Sequence, residues 1–252
     1  MPPISSSNPS AAGMTGLHLY HSGVSNCSMR VRITLEEKGL EWESHHFNIL
    51  RKEHLTPEYF DINPKGLVPT LVHDGVVITE SDDIIDYIDK NFSDPPLHPD
   101  DADQLALMYD WLRRATSMHV KAVKTHIYEK RIGSSMAQSA EEKANYENLQ
   151  SDPELLEFHH KSTSGGFSQD ELDQATATLE TAFEDLEEAL DGKDWIAGDI
   201  FSLADIAWMP LYFTLGELAG FSFEDFPNVC AWSERIASRS SFQKGVRDWW
   251  PF

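Results

Sequence analysis

The sequence predicts an α/β domain at the start of the chain and an all-helical domain after it. Apolar runs of strand length and amphipathic helical segments alternate between residues 17 and 92, whereas the later segments carry apolar positions at helical spacing only. Residues 95–99 contain three prolines, which excludes a continuous helix there. We therefore expect domains at 17–92 and 101–252, joined by a linker at 93–100.

Turn residues and apolar runs define the elements of the first domain. We predict four strands, at residues 17–20, 41–48, 70–73 and 76–79, the last two separated by the tight turn Asp74–Gly75. Three helices are predicted, at 27–38 ahead of Gly39, at 57–62 and at 81–92. The order is strand, helix, strand, helix, strand, strand, helix.

The second domain is predicted to contain four main helices, at residues 101–128, 169–190, 202–218 and 228–238. Ser202 and Asp205 have the spacing of a capping box, with Asp in place of the usual Glu. Residues 133–168 are polar and weakly periodic, so we expect a partly helical insertion there.

Composition is typical of a soluble globular protein, with 40% hydrophobic residues among 252. Residues 1–16 carry no charged side chain and lack the pattern of a signal peptide, which indicates a flexible tail. Cys27 and Cys230 follow no disulfide or metal spacing and are expected to be free thiols in a reducing cytoplasm.

Acidic residues outnumber basic residues by 42 to 20, which gives a formal net charge of −22. Residues 17–92 account for −6 of this charge and residues 93–252 for −16. Such a surplus repels phosphate backbones and anionic lipids, so we expect neither a nucleic-acid partner nor a membrane partner.

Three stretches together resemble the cytosolic glutathione S-transferase family over residues 17–250. They are Ser-Asn-Cys-Ser-Met-Arg-Val-Arg-Ile at 25–33, Asn-Pro-Lys-Gly-Leu-Val-Pro-Thr-Leu at 63–71 followed by Glu80–Ser81, and Gly198–Asp199 followed by Ser-Leu-Ala-Asp-Ile at 202–206. The resemblance implies a thioredoxin-like N-terminal domain with a four-stranded mixed sheet that binds glutathione as co-substrate. It also implies an all-helical substrate-binding domain and a homodimer whose contact joins the first domain to the long helices after Asp101.

Two subclasses share parts of this pattern. The first stretch resembles zeta-class and reductive-dehalogenase members, while residues 38–41 and 165–172 resemble bacterial β-etherases that cleave aryl ethers. The zeta-like match places Ser25 at the glutathione sulfur with Cys27 nearby, whereas the etherase-like match places Cys27 and Ser28 there. Ser25, Cys27 and Ser28 are therefore the candidate catalytic residues.

The chemistry of a thiol also favours the start of this helix. A free thiol titrates near pH ~8.5, so its thiolate must be stabilised at neutral pH. A helix N-terminus offers unpaired N–H groups and partial positive charge, and a serine hydroxyl adds a hydrogen bond. Plain N-capping is the alternative role for Ser25 and Ser28, and a buried or disulfide-forming thiol is the alternative for Cys27.

The remaining glutathione contacts are implied by the resemblance. Pro69 is expected to be cis, with the backbone of Val68 pairing with glutathione as an added strand. Glu80 and Ser81 would hold the γ-glutamyl carboxylate, and His54 would lie near the glycyl carboxylate. Asn26, at the same helix start as the catalytic candidates, completes the predicted glutathione-binding set.

The sequence offers no convincing metal site. His45–His46 and His159–His160 are adjacent pairs, whose side chains diverge on a strand or a helix, so no metal is expected. The expected function is attack of glutathione on a hydrophobic, aromatic electrophile, with β-aryl ether cleavage as one form. Cys27-dependent thiol–disulfide exchange, reductive dehalogenation, and a non-catalytic binding module are the alternatives.

Overall fold

A mixed β-sheet forms the centre of the first domain in the computed structural model, which describes residues 4–5, 9–128, 139–164 and 166–252. The sheet has the strand order β1-β5-β4-β2-β3. The strands are β1 Ile4–Ser5, β2 Leu17–His21, β3 Glu43–His46, β4 Thr70–His73 and β5 Val76–Thr79. β2 and β3 are parallel and the other pairs are antiparallel, so the four predicted strands form the expected mixed sheet.

The first strand and the helix after it correct the expectation of a flexible tail at residues 1–16 for the residues described there, 4–5 and 9–16, while 1–3 and 6–8 lie outside the described residues. Ile4 pairs with Val77 and Ser5 pairs with Val76, and a short helix, α1 (Pro9–Ala12), follows. Ala11 is fully buried. Without this segment β5 would be the edge strand of the sheet, with unpaired backbone N–H and C=O groups. The two residues of β1 pair with some of those groups.

Three further helices complete the first domain: α2 Asn26–Glu37, α3 Pro57–Ile62 and α4 Ser81–Asn91. α2 and α4 pack together, and their apolar side chains form one buried cluster with those of β2 and β4. α3 begins at Pro57 because the Thr56 side chain caps it and the fixed φ of proline suits a first helical position.

The second domain is entirely helical in the described residues. Its helices are α5 Ala102–Ser117, α6 Thr125–Ile127, α7 Ala140–Leu149, α8 Pro153–Ser164, α9 Gln169–Ala189, α10 Leu203–Thr214, α11 Pro227–Ala237 and α12 Ser240–Gly245. The predicted insertion at 133–168 contains α7 and α8, and its residues 133–138 and 165 lie outside the described residues. Among the helices described, none combines the length and apolar character needed to cross a lipid bilayer.

Two predicted helices of this domain are interrupted. The segment predicted as one helix at 101–128 leaves the α-helical path after Ser117 and continues as a π-helical segment, His119–Lys124, before α6. A second π-helical segment, Leu215–Ala219, ends α10. π-helical turns occur often at functional sites, so the first of these segments is a candidate part of one.

α10 connects the two domains. It packs against both α2 and α5, and Trp208 on it is fully buried and donates a hydrogen bond from Nε1 to the Trp111 carbonyl oxygen at 2.9 Å. The predicted capping box is confirmed, with Ser202 and Asp205 closing the first turn of α10. α12 also packs on α2, so both domains fix the position of the α2 start.

Candidate active site at the start of helix α2

Ser25 is the N-cap of α2. Its backbone is extended, and its Oγ accepts a hydrogen bond from the Ser28 N–H at 3.2 Å. A serine hydroxyl that accepts through a lone pair keeps its own proton to donate. Capping and thiolate stabilisation are therefore compatible for Ser25, which is partly exposed.

The other candidates at this helix start differ in exposure. The Ser28 side chain is fully buried, and its Oγ accepts from the Ser22 N–H at 3.3 Å. Asn26 is also buried. Cys27 is a partly exposed free thiol. Ser28 thus holds the preceding loop, whereas Ser25 and Cys27 remain partly accessible from solvent.

Arg32 fixes the loop that leads into α2. This buried guanidinium donates to the Ser22 carbonyl at 2.9 Å, to the Gly23 carbonyl at 3.3 Å and to His21 Nδ1 at 3.1 Å. Burial and the Arg32 charge lower the pKa of His21 to about 2, so this ring stays neutral and accepts. His46 Nε2 accepts from the Gly23 N–H at 3.2 Å, which completes a rigid approach to Ser25.

The Val68–Pro69 peptide bond is cis, as the resemblance implied. The preceding carbonyl of Leu67 is held by the Tyr59 hydroxyl at 2.5 Å and by Asn63 Nδ2 at 2.8 Å. In the part of the chain that the structure describes, no hydrogen bond involves the N–H or the carbonyl of Val68. Its backbone is therefore available to an extended peptide.

Glu80 and Ser81 form the start of α4. Glu80 has a positive φ of 67°, uncommon for a residue other than glycine, and such conformations cluster at ligand sites. Its carboxylate accepts from Lys65 Nζ at 2.7 Å. Ser81 is buried, and the first N–H groups of α4 have no partner inside the helix, so they can bind a carboxylate.

Arg30 is a site residue that sequence reasoning missed. Its side chain is fully buried, and burial lowers its pKa while the neighbouring Cys27 and Asp82 oppose this shift. Four neutral groups accept its hydrogen bonds, namely Ser81 Oγ at 3.2 Å, Thr116 Oγ1 at 3.3 Å, and the carbonyls of Ala115 at 3.3 Å and Ala207 at 3.1 Å. A signal was present, since Arg30 and Arg32 interrupt an otherwise apolar helical run.

The π-helical segment adds two more basic groups that the sequence did not reveal. Lys124 lies within electrostatic range of Cys27 and Glu80, and burial lowers its pKa against their influence. None of the described residues forms an ion pair with it. His119, at the other end of the segment, has its pKa lowered by burial, by Lys124 and by Arg30.

His54 lies near the same lysine. Burial and the Lys124 charge lower the pKa of His54 to about 4, so the ring is neutral at pH 7. Among the described residues, the Nδ1 atoms of His54 and His119 are buried and have no hydrogen-bond partner. Unsatisfied buried polar atoms are rare in proteins, so these two nitrogens are candidate hydrogen-bonding groups for a ligand.

Aromatic rings lie beside Lys124. The Phe158 ring is 5.7 Å from Lys124 Nζ, and its centroid lies 5.4 Å from that of Tyr128 and 5.7 Å from that of Phe167. Phe158 and Phe167 belong to the segment that sequence reasoning could describe only as a partly helical insertion. Two surface cavities of 440 and 460 Å³ are lined by none of these residues.

This arrangement suits an anionic peptide with a thiol. The start of α2 offers a hydroxyl donor, the start of α4 offers N–H groups, and Val68 offers backbone groups that no hydrogen bond of the described residues uses. Arg30 and Lys124 add positive charge that no carboxylate of the described residues neutralises directly. An aromatic surface next to Lys124 can accept an apolar second substrate.

Comparison with known proteins agrees with this geometry. Residues 19–96 match the glutathione S-transferase N-terminal domain and residues 139–240 match the glutathione S-transferase C-terminal domain. Protein LigF of Sphingobium sp. (strain NBRC 103272 / SYK-6) is 31% identical over 92% of this chain and 95% of its own length. The crystal structure of β-etherase LigF superposes with a TM-score of 0.84 and covers 93% of this chain and 100% of that one.

Two further relatives extend over most of the chain. Glutathione S-transferase Z2 of Arabidopsis thaliana is 30% identical over 91% of this chain and 90% of its own length. Tetrachloro-p-hydroquinone reductive dehalogenase of Sphingobium chlorophenolicum is 27% identical over 91% of this chain and 95% of its own length. The chain therefore belongs to the glutathione S-transferase family and carries both of its domains.

Proposed function

We propose that this glutathione transferase activates the glutathione thiolate for attack on a hydrophobic aromatic electrophile, with aryl ethers as the first candidate class. The observation that carries the proposal is the Ser25 hydroxyl, which keeps a proton to donate at the positive end of α2. Arg30 and Lys124, neither of which forms an ion pair with the described residues, add positive charge within electrostatic range of Cys27.

Glutathione would extend from the start of α4 to the loop of His54. Its γ-glutamyl carboxylate would bind the N–H groups at Glu80 and Ser81, and its cysteinyl backbone would pair with Val68 beside Pro69. The glycyl carboxylate would lie near His54. Asn26, buried at the α2 start, would keep the loop around the thiol in place.

Ser25 is the better hydroxyl for the thiol. Both hydroxyls accept a backbone N–H and keep a proton to donate, but Ser28 is fully buried whereas Ser25 is partly exposed, so Ser25 is the one that a bound thiol can reach. The α2 N-terminus and one charge-assisted hydrogen bond from Ser25 would together lower the thiol pKa by about one to two units. Most bound glutathione would then be thiolate near neutral pH.

With an aryl ether, the thiolate would attack the carbon that carries the aryloxy group. A carbon–sulfur bond forms, the carbon–oxygen bond breaks, and the electron pair of that bond leaves with the aryloxide, which then takes a proton from water. Lys124 would offset the negative charge on the leaving oxygen, and Phe158 would stack on the aryl ring. The likeness to LigF, described as a β-etherase, supports this class.

Thiol–disulfide exchange at Cys27 is the second candidate. Cys27 is a partly exposed free thiol at the start of α2, and Arg30 and Lys124 lie within electrostatic range of it. In thiol–disulfide exchange the Cys27 thiolate attacks a disulfide sulfur, a new S–S bond forms, and the old S–S bond breaks with release of a thiolate. In the related reductive step the Cys27 thiolate attacks the sulfur of a glutathionyl–carbon adduct: an S–S bond forms, the carbon–sulfur bond breaks, and its electron pair leaves with the carbon, which takes a proton from water. The reductive dehalogenase among the relatives supports this alternative.

Mass spectrometry of product mixtures separates these functions. The protein is incubated with glutathione and, separately, a β-aryl ether, an aryl chloride and a chlorinated hydroquinone. Thioether adducts with release of phenol, retained in Cys27→Ala, are the expected result. Adducts or reduced products that disappear in Cys27→Ala would favour the second candidate. Absence of glutathione binding in calorimetry would instead favour a non-catalytic module.

We also propose that the protein acts in the cytoplasm as a homodimer. Resemblance to the family supports this arrangement, with the partner's first domain packed against α5.

A further inference from the structure

Three metal-ligating side chains, His18, Glu43 and His45, lie together on one face of the β2–β3 pair. In the parallel register His18 lies opposite Glu43, and Tyr20 lies opposite His45. Residues two apart on a strand share a face, so all four side chains project to the same side of the sheet. None of them belongs to the proposed glutathione site.

The three ligand groups already lie at coordination spacing. His18 Nδ1 and His45 Nε2 are 3.0 Å apart, and the Glu43 carboxylate oxygens lie 3.5 Å from the first nitrogen and 3.9 Å from the second. Ligand atoms of a tetrahedral zinc site with bonds of about 2.0–2.1 Å lie roughly 3.3 Å from one another. A small ion can therefore enter with small side-chain movements.

The tautomer of His18 is fixed for coordination. Its Nε2 lies 3.1 Å from the Thr15 carbonyl oxygen, which can only accept, so Nε2 carries the proton and Nδ1 presents a lone pair. Metal-binding histidines commonly donate their second N–H in this way. The short contact between the rings then requires the His45 Nε2–H to donate to His18 Nδ1, and a cation would replace that proton.

Packing holds the second imidazole as well. The Tyr20 ring stacks on the His45 ring with centroids 4.4 Å apart and planes inclined by 16°. The side chains of His18 and His45 are 11% and 25% exposed, whereas that of Glu43 is 66% exposed. The two imidazole rings are therefore already held in place, and the exposed Glu43 carboxylate can move toward a bound ion. The solvent-facing side of the site is open to water.

We propose that His18, Glu43 and His45 bind one Zn²⁺ ion, with water as the fourth ligand. Two imidazoles and one carboxylate suit zinc, whereas Mg²⁺ and Ca²⁺ prefer sites built from oxygen ligands. The adjacent pair His45–His46 is not part of the proposed ligand set, because the partner of His45 is His18 on the neighbouring strand. The bound ion would fasten the short edge strand β3 to β2.

Calorimetric titration of the tag-free protein with ZnCl₂ tests this site. The experiment omits glutathione and uses a Cys27→Ser/Cys230→Ser background, so that thiols do not compete for the ion. We expect one Zn²⁺ per chain, binding at least tenfold weaker in His45→Ala and in Glu43→Gln, and no comparable binding of Mg²⁺. His160→Gln, which changes an exposed histidine facing Glu147, is the matched control and should retain full affinity.

Spectroscopy with Co²⁺ provides a second measurement that does not depend on heat. The visible absorption of a tetrahedral complex should appear at one equivalent and be lost in His18→Ala. Since Glu43 is exposed, Glu43→Gln should fold normally even if His18→Ala does not. Circular dichroism measures the folding of both variants. Unchanged zinc affinity in both His45→Ala and Glu43→Gln, or absence of binding by the parent protein, would overturn the proposal.

Discussion

At the scale of single residues, buried positive charge distinguishes this site. Arg30 donates only to neutral oxygens, and Lys124 forms no ion pair with the described residues. A buried cation without a counter-ion is costly, and an anionic ligand would offset that cost. The two side chains therefore favour binding of a thiolate peptide and of a leaving group that becomes negative.

Replacing Lys124 should expose its role at the leaving group. Lys124→Met should slow cleavage of aryl ethers on the order of ten- to a hundredfold where the leaving phenol is weakly acidic, and less for acidic phenols. The reason is that the ammonium no longer offsets charge on the departing oxygen. Rates across a series of substituted phenyl ethers measure this, with the exposed Lys121→Met as control. An equal loss of rate for all leaving phenols would contradict a role at the leaving group and indicate that Lys124 contributes only to substrate binding.

His54 should make stability fall on the acid side. Its pKa is about 4 in the folded chain and near 6.5 when unfolded, so the unfolded state binds a proton first as the pH falls. Its contribution is therefore fully present above pH ~6.5 and is lost progressively down to pH ~4, on the order of 2–3 kcal/mol. Urea unfolding measured from pH 7 to 4.5 should show a smaller loss of unfolding free energy in His54→Gln than in the unaltered protein. Equal losses in both proteins would contradict the assignment.

At the scale of elements, the Asp205 carboxylate organises the start of α10. It is fully buried and accepts from the Ser202 N–H at 2.9 Å, the Ile196 N–H at 3.0 Å and Trp232 Nε1 at 2.8 Å. These bonds tie three segments of the helical domain together. Because α10 packs on α2, this cap also supports the site.

Removing this cap should destabilise the protein by about 3 kcal/mol or more, since Asp205→Ala leaves buried N–H donors without acceptors. The free energy of unfolding from urea titration measures the effect. Asp191→Ala, at an exposed aspartate, should change it by less than about 0.5 kcal/mol. A similar small change in Asp205→Ala would contradict the role given to the network.

Local signals predicted much of the fold. The bounds of α3, β4 and β5 agree with prediction because Pro57 and the Asp74–Gly75 turn mark them chemically. The π-helical turn at 119–124 was missed because a helical period does not reveal where one turn widens. The strand β1 was missed because two residues in an uncharged segment give no alternation to detect.

The site was predictable where it follows contiguous motifs and not elsewhere. Ser25, Val68 and Ser81 lie at the starts or ends of elements that the sequence marks, and they remain predicted site residues. Arg30 and Lys124 are separated by 94 positions of chain, and only the tertiary packing of α2 against the helical domain turns two ordinary basic residues into buried neighbours of Cys27. The sequence contains a local signal for Arg30, which interrupts an apolar helical run, and none for Lys124.

At the scale of the whole molecule, the distribution of net charge favours one arrangement of the proposed dimer over another. The helical half carries −16, which opposes contact between two helical domains, whereas the first domain carries only −6. α5 presents Leu107, one of two large hydrophobic side chains exposed in the described residues. A contact between the first domain of one protomer and α5 of the other would cover this side chain.

Light scattering at micromolar concentration should give about twice the mass of one chain. Leu107→Glu should shift the equilibrium toward monomer, because it adds charge to a covered apolar contact. Glu184→Gln, at an exposed acidic position of α9, should leave the mass unchanged. A single-chain mass for the unaltered protein would contradict the dimer.

The ultraviolet absorbance of bound glutathione thiolate, followed against pH, tests the central claim most directly. Ser25→Ala should raise the pKa of the bound thiol by about one unit, which corresponds to ~1.4 kcal/mol, since it removes one charge-assisted hydrogen bond and leaves the effect of the α2 N-terminus. Cys27→Ala should leave the titration in place, because glutathione supplies the attacking sulfur. An unchanged titration in Ser25→Ala, with glutathione still bound, would contradict the account and assign thiolate stabilisation to the backbone N–H groups of α2 or to Ser28.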